Sequence, residues 1–230
     1  GFLGPDVSLV HCNIVNQEEI KLLGSTHTNV IVTPICNTRD AADGNGIAPI
    51  EVLRQKGTNV SIGVDGPASN DSMNIQDEMR YLRVVSRAKE GLFWEPKGDQ
   101  SKYSYRHPLE VFSITNRGGA KTLNRDDIGS IEVGKAADIA IFNPDGEISQ
   151  AGSVCKWASL VSCSPMKPKY LIVNGKIVVE NGRLTLLDQE KINMNFRKFH
   201  ERVIDRAQEH LKIDIDYPEL SRKEVFSFVS

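Results

Sequence analysis

His11, Asn37 and Asp65 each stand at the end of a short apolar run. VSLVHC reaches His11, VIVTPICN reaches Asn37 and VSIGVD reaches Asp65. An imidazole and a carboxylate at such positions suit metal-assisted hydrolysis. A carboxylate can ligate a divalent cation at about 2.0–2.2 Å and accept a proton from water. A nearby imidazole can orient that water or hydrogen-bond a developing oxyanion. A plainer reading stays open, because Asp65 begins an Asp-Gly-Pro turn and His11 can be a satisfied core residue. The five histidines contain neither HxH nor HExxH, so no complete metal site is legible from spacing. His27, His107, His200 and His210 read as surface, capping or structural residues. Cys12 follows His11 directly, so in a strand the two side chains point to opposite faces and Cys12 reads as a buried thiol. Gly44-Asn45-Gly46 and Asn70-Asp71 read as capped turns that could also shape a ligand-facing loop.

The elements that must position these residues show two rhythms. Up to about residue 125, short apolar runs alternate with helical patterns: Val7–Val10 then Asn16–Ser25, Val30–Val32 then Ile47–Lys56, Val60–Val64 then Asn74–Lys89. That alternation predicts parallel strands covered by helices, and in such sheets ligand-facing groups gather beyond the strands' carboxyl ends. Asn16 with Glu19 predicts a capping box, and Gly57 a helix stop. Ile75, Met79, Leu82 and Val85 form one apolar stripe. The breaker-rich EPKGDQSKYSYRHP separates that helix from one opened by Pro108. After Leu123, IGSIEVGKAADIAIFNPDG and YLIVNGKIVVENGRL predict antiparallel strands joined by tight turns. From Asp188 to about Leu211 a helix carries Ile192, Phe196, Phe199, Val203 and Ala207 on one side.

Composition narrows the classes. The chain has 230 residues, 28 Lys and Arg against 30 Asp and Glu, and a formal charge of -2, a balance that offers neither a nucleic-acid surface nor a polybasic membrane patch. Cys12, Cys36, Cys155 and Cys163 form no CxxC pair and read as thiols in a reducing compartment. With no apolar run of about 18 residues and no basic leader, the expected location is cytoplasmic, without membrane contact.

The ordered pieces LVHCNIVNQEEIKLL, TPICNTRD, GNGIAPIEVLRQKG, VSIGVDGPASND, ITNRGGAKTL, IGSIEVGKAADIAIF and YLIVNGKIVVENGRL together resemble the amidohydrolase superfamily. The likeness covers almost the whole chain and falls in the chlorohydrolase and aminohydrolase branch, nearest its deaminases of 8-oxoguanine. It implies an α/β fold: the carboxyl-terminal part of a (β/α)8 TIM-like hydrolase barrel plus part of a small β-sandwich. The barrel part would span residues 1–125, the sandwich part 126–187, and a terminal helix and tail 188–230. It further implies catalytic roles for His11 and Asp65, metal ligation by Asp65, and substrate contacts from Asn37 and Arg39 on the loop after the seventh barrel strand. One divalent metal ion follows, zinc first and iron as the alternative. The implied reaction is hydrolytic deamination of an aminated purine, 8-oxoguanine giving urate and ammonia. Guanine, a triazine or another amino-heterocycle is the alternative substrate. The family's HxH, a further histidine and a proton-shuttling glutamate have no match here, so the chain reads as the partner of an amino-terminal half of the same enzyme, in a homo-oligomer. A non-catalytic binding or structural protein is the reading if the natural chain starts at Gly1.

Overall fold

Three short strands, β1 (Ser8–Val10), β2 (Asn29–Val32) and β3 (Val60–Ile62), pair in parallel in the order β1-β2-β3. The computed structural model describes residues 1–41, 46–92, 107–143, 155–163 and 166–212. Gly44, Asn45, most of the breaker-rich stretch before Pro108 and the Pro144-Asp145-Gly146 turn lie outside the described residues. Leu9 lies opposite Val30 and Val30 opposite Val60, so all three strands deliver their carboxyl ends to one edge. This is an open, barrel-like βα segment; the described strands do not close into a barrel.

The covering helices form where local chemistry says they should. Helix α1 (Gln17–Ser25) starts at Asn16, whose side chain accepts from the Glu18 and Glu19 amides at 2.9 Å each, while Glu19 Oε2 accepts from Asn16 N at 2.8 Å. The reciprocal box is the one predicted, and such a cap is worth about 1 kcal/mol. Helix α3 (Ile50–Gln55) ends at Gly57, which takes a φ of +94° that a Cβ would oppose. Helix α4 (Ile75–Leu92) buries Met79 and Leu82 beneath the sheet's helical layer, with Val30, Val32, Leu53 and Val111 in the same core.

His107 caps α5 (Pro108–Ser113) by accepting from Leu109 N at 3.2 Å, and Pro108 opens it as expected. The helix continues through a π-helical turn, Ile114–Gly118, into α6 (Gly119–Thr122). Gly118 lies against the Val60 carbonyl so closely that any Cβ there would collide with backbone. At the amino end of the sheet, Asn59 donates to Asn29 Oδ1 at 2.8 Å and to Gly118 O at 3.1 Å, which satisfies buried polar groups far from the strand exits.

Beyond α6 the structure departs from expectation. Residues 126–138 form bends and turns rather than strand, because Gly129 (φ +84°) and Gly134 (φ +91°) break the extended backbone. Strand begins only at β4 (Ile139–Ile141), which pairs antiparallel with β5 (Tyr170–Val173), itself antiparallel to β6 (Lys176–Glu180). Asn174 and Gly175 join β5 to β6 with φ of 47° and 76°, the two left-handed positions that a two-residue hairpin turn requires. Helix α7 (Lys156–Ser162) has no counterpart in the expected all-strand reading; its Trp157 packs on Phe112 with ring centroids 4.7 Å apart. Among the described residues a small antiparallel sheet stands where a sandwich portion was expected.

The chain divides into two compact units, Gly1–Gly182 and Arg183–Ser230. The second holds a short strand β7 (Arg183–Leu184) and helix α8 (Gln189–Leu211), capped by Asp188 accepting from Lys191 N at 3.0 Å. No described helix is long and apolar enough to cross a membrane.

Candidate metal and catalytic site

His11 leaves β1 on a continued ladder bond, its amide donating to Ile31 O at 2.9 Å, and then turns sharply: His11 and Cys12 have φ of 71° and 51°. Asp65 does the same three residues past β3, with φ of 61°. Left-handed backbone at non-glycine residues is costly, and surroundings must hold it. Here it swings His11 and Asp65 out of their strands so that His11 Nε2 faces Asp65 Oδ2 at 3.7 Å. Their side chains remain 39% and 29% exposed, so the pair lies open at the strand mouth.

Between them comes a residue that the sequence alone did not single out. TPICN is not a strand running to Asn37: β2 stops at Val32, and α2 (Pro34–Ala41) starts at Pro34, whose fixed φ suits a first helical turn. Helical winding brings Cys36 inward, where it hydrogen-bonds the Asp65 carboxylate. The donor atoms of His11, Cys36 and Asp65 all lie within 4.8 Å of one another. They form a candidate site for a divalent cation, with the nitrogen, sulfur and carboxylate donor set that zinc accepts.

Asn37 and Arg39 consequently sit on a helix, not on a loop. Asn37 is 1% exposed and works inward. Its Oδ1 accepts from Thr33 N at 3.2 Å, which identifies the amide orientation, so its Nδ2 must donate to His11 Nδ1 at 3.1 Å. Thr33 Oγ1 also meets His11 Nδ1, at 3.0 Å. A ring nitrogen that accepts at Nδ1 carries its proton on Nε2, the atom turned toward Asp65. In this protonation state His11 is a hydrogen-bond donor into the site. To ligate through Nε2 its proton would have to move to Nδ1, opposite the Asn37 amide. Arg39 reaches Asp71 Oδ1 at 3.2 Å in an exposed pair.

Asp65 is held below the usual carboxylate range. The Cys36 thiol contributes most, followed by the Gly66 amide, which donates at 2.6 Å, and then by the His11 ring and the Ser69 hydroxyl. Burial works the other way, by more than the His11 ring or the Ser69 hydroxyl but less than the two leading hydrogen bonds. The carboxylate is thus kept as an anion, the form that ligates metal. Cys12 goes the opposite way, its thiol pushed up by burial and by Glu19, so it is an inert neighbour. None of the four cysteines is in a disulfide. Asn70 forms a capped turn: its Oδ1 accepts from Ser72 N and Met73 N, both at 3.1 Å.

Comparison with known proteins gives this geometry a family. Residues 1–178 match the model of the amidohydrolase family. The chain is 32% identical over 204 residues to a 5-methylthioadenosine/S-adenosylhomocysteine deaminase of Thermoanaerobacter pseudethanolicus, covering 85% of this chain and 43% of that protein. It is 33% identical over 188 residues to an 8-oxoguanine deaminase of Pseudomonas aeruginosa, covering 82% and 38%. Among solved structures it superposes on the zinc complex of atrazine chlorohydrolase TrzN from Arthrobacter aurescens with a TM-score of 0.69 and 29% identity, over 84% of this chain and 40% of that one. The chain thus spans less than half the length of the relatives it matches. With a parallel βα segment whose strand exits gather a histidine, a thiol and an aspartate, this chain belongs to the amidohydrolase family.

Proposed function

We propose that the protein containing this chain hydrolytically deaminates an aminated purine, with 8-oxoguanine as substrate and urate and ammonia as products. The observation that carries the reading is His11 Nε2 opposite Asp65 Oδ2 at 3.7 Å, on strand exits of one parallel sheet. A proton donor and an ionised carboxylate are there aimed into the same open space. The 8-oxoguanine deaminase relative supports the choice of substrate.

Asp65, with Cys36 beside it, is the anionic anchor for a divalent cation, zinc in our reading. A cation so held supplies Lewis acidity to water and to the substrate. Asp65 accepts the proton that water gives up as its oxygen bonds to the amine-bearing carbon. His11 donates from Nε2 to that attacking oxygen, on which negative charge develops as its proton leaves. Asp65 passes that proton to the amine nitrogen, the carbon–nitrogen bond breaks and ammonia departs. The oxygen's remaining proton goes to the ring nitrogen of the same amidine as the carbonyl forms, so one water is consumed for each ammonia released. Asn37 and Thr33 hold the His11 ring in the protonation state that this donation needs. Arg39, at the rim with Asp71, is the candidate contact for the heterocycle's polar edge.

A second reading is deamination of the adenine ring of a 5′-modified nucleoside, favoured by the similarity to the 5-methylthioadenosine/S-adenosylhomocysteine deaminase. Ammonia release from 8-oxoguanine, guanine and 5-methylthioadenosine, measured side by side with the zinc-loaded full-length protein, separates them. Turnover of 8-oxoguanine well above the other two is expected. Preference for the nucleoside would transfer the assignment to the second reading, and no release from any of them would refute both.

A further inference from the structure

Helix α4 carries a carboxylate to which the chemistry above gives no task. Glu78 is 0% exposed, and among the described residues no cationic side chain pairs with it. Its two oxygens accept from two different segments, the first turn of α2 and the turn after Asp65. Oε2 takes the Ile35 backbone amide at 2.9 Å, in the first turn of α2 and next to Cys36 and Asn37. Oε1 takes Asn70 Nδ2 at 2.6 Å, and the same nitrogen donates to Val64 O at 2.8 Å, the residue before Asp65. Asn70 is itself buried and closes the turn after Asp65 through Ser72 and Met73. One side chain thus ties the exit of β2 to the exit of β3. Taking a carboxyl group out of water is costly unless its oxygens are hydrogen-bonded, so a glutamate at a fully buried position calls for a reason beyond packing.

We infer that Glu78 is a positioning residue: it clamps the Cys36–Asn37 turn and the Asp65 turn to one another, and so sets the spacing at which metal and water are held. This rests on the deaminase reading for its effect on turnover but not for its effect on metal binding. The geometry explains why glutamate is needed. Both partners are N–H donors, so the residue must accept at both ends, which a carboxylate does and an amide cannot. Glu78→Gln keeps size and shape but points an NH2 group at one of two N–H groups.

Gln76, on the same helix, supplies the control. It makes an equally buried pair of bonds, to Met166 O at 3.0 Å and from Met166 N at 2.7 Å, away from the strand exits. In the full-length protein, zinc affinity by chelator competition and kcat at saturating zinc would be measured for Glu78→Gln and Gln76→Leu. Glu78→Gln is expected to weaken zinc binding about 10-fold or more and to lower kcat, since partners that orient metal ligands carry about 10–100-fold. Gln76→Leu should lower the melting temperature while leaving both within about twofold of wild type. If Glu78→Gln does not fold, Asn70→Asp breaks the clamp from its other side, and the same weakening is expected. Zinc affinity and kcat within twofold of wild type in the clamp variants, or equal losses in the Gln76 control, would overturn the inference. Zinc binding that responds as expected in a protein that deaminates nothing would sustain the clamp and refute only the deaminase reading.

Discussion

Replacing His11 with asparagine tests whether that ring donates a proton or ligates metal. Asparagine is chosen because residue 11 has a φ of 71°, a region that asparagine tolerates better than alanine or glutamine. Backbone strain is then little changed, and the effect read is that of the side chain. The structural cost is specific: Asn37 Nδ2, buried and donating to His11 Nδ1 at 3.1 Å, loses its acceptor. Leaving one buried donor unpaired costs about 1–3 kcal/mol, visible as a lower denaturation midpoint. The catalytic cost is separate. Loss of one donor to a developing oxyanion lowers kcat about 100- to 1000-fold. While Nε2 carries its proton His11 does not ligate, so zinc content should remain that of wild type. Steady-state ammonia release, metal analysis and urea denaturation on one preparation supply all three numbers. Zinc lost in step with activity would mean that His11 is a ligand, and the protonation state deduced from Asn37 would be wrong.

Four further outcomes follow from named contacts. Asp65→Asn removes the anion at the site's centre, so metal content and turnover should both fall; unchanged zinc with unchanged kcat would sink the assignment of Asp65. Cys36→Ala deletes the largest influence holding Asp65 low, so the acid limb of the pH–rate profile should move to higher pH, and an unmoved limb contradicts the thiol's role. Glu78 is raised to about 7 by burial above all, so between its unfolded value and that pH the native state binds more protons than the unfolded chain. Stability from this group is therefore full at low pH and falls as pH rises through about 7, whereas the two-ended clamp needs the ionised carboxylate and is complete only above that pH; wild-type denaturation midpoints that fall no more steeply across pH 5–8 than those of Glu78→Gln would contradict this. Gly118→Ala puts a methyl group into the Val60 carbonyl, and a loss below about 1 kcal/mol would show the helix free to shift.

Much of the scaffold was legible because single residues decide it. Asn16 and Glu19 announce a capping box, Pro108 a helix start and Asn174-Gly175 a hairpin, and each forms as announced. The alternation of strands and helices before residue 125 follows from periodicity in the same way. Other parts were hidden by short-run ambiguity. VIVTPICN is apolar enough to extend a strand, and only Pro34 signals the switch to helix that turns Cys36 toward Asp65 and Asn37 toward His11. IGSIEV looks like strand by composition, but the glycine conformations at 129 and 134 bend it. Glu78 did leave a trace. It lies with Ile75, Met79 and Leu82 at the i, i+3, i+4 and i+7 spacing of one helical face, where a charged residue is out of place unless it is paired. His11 and Asp65 stand out in the sequence as strand-end residues, and the structure brings them to 3.7 Å; their left-handed backbone is not legible in composition.

The most direct measurement is zinc content together with ammonia release from 8-oxoguanine, on full-length wild-type protein and its Asp65→Asn variant prepared in parallel. We expect bound zinc and sustained ammonia release in the wild type, with both lost in the variant. Equal zinc and equal ammonia release in the two proteins would contradict the account, because the carboxylate opposite His11 would then be neither ligand nor proton acceptor.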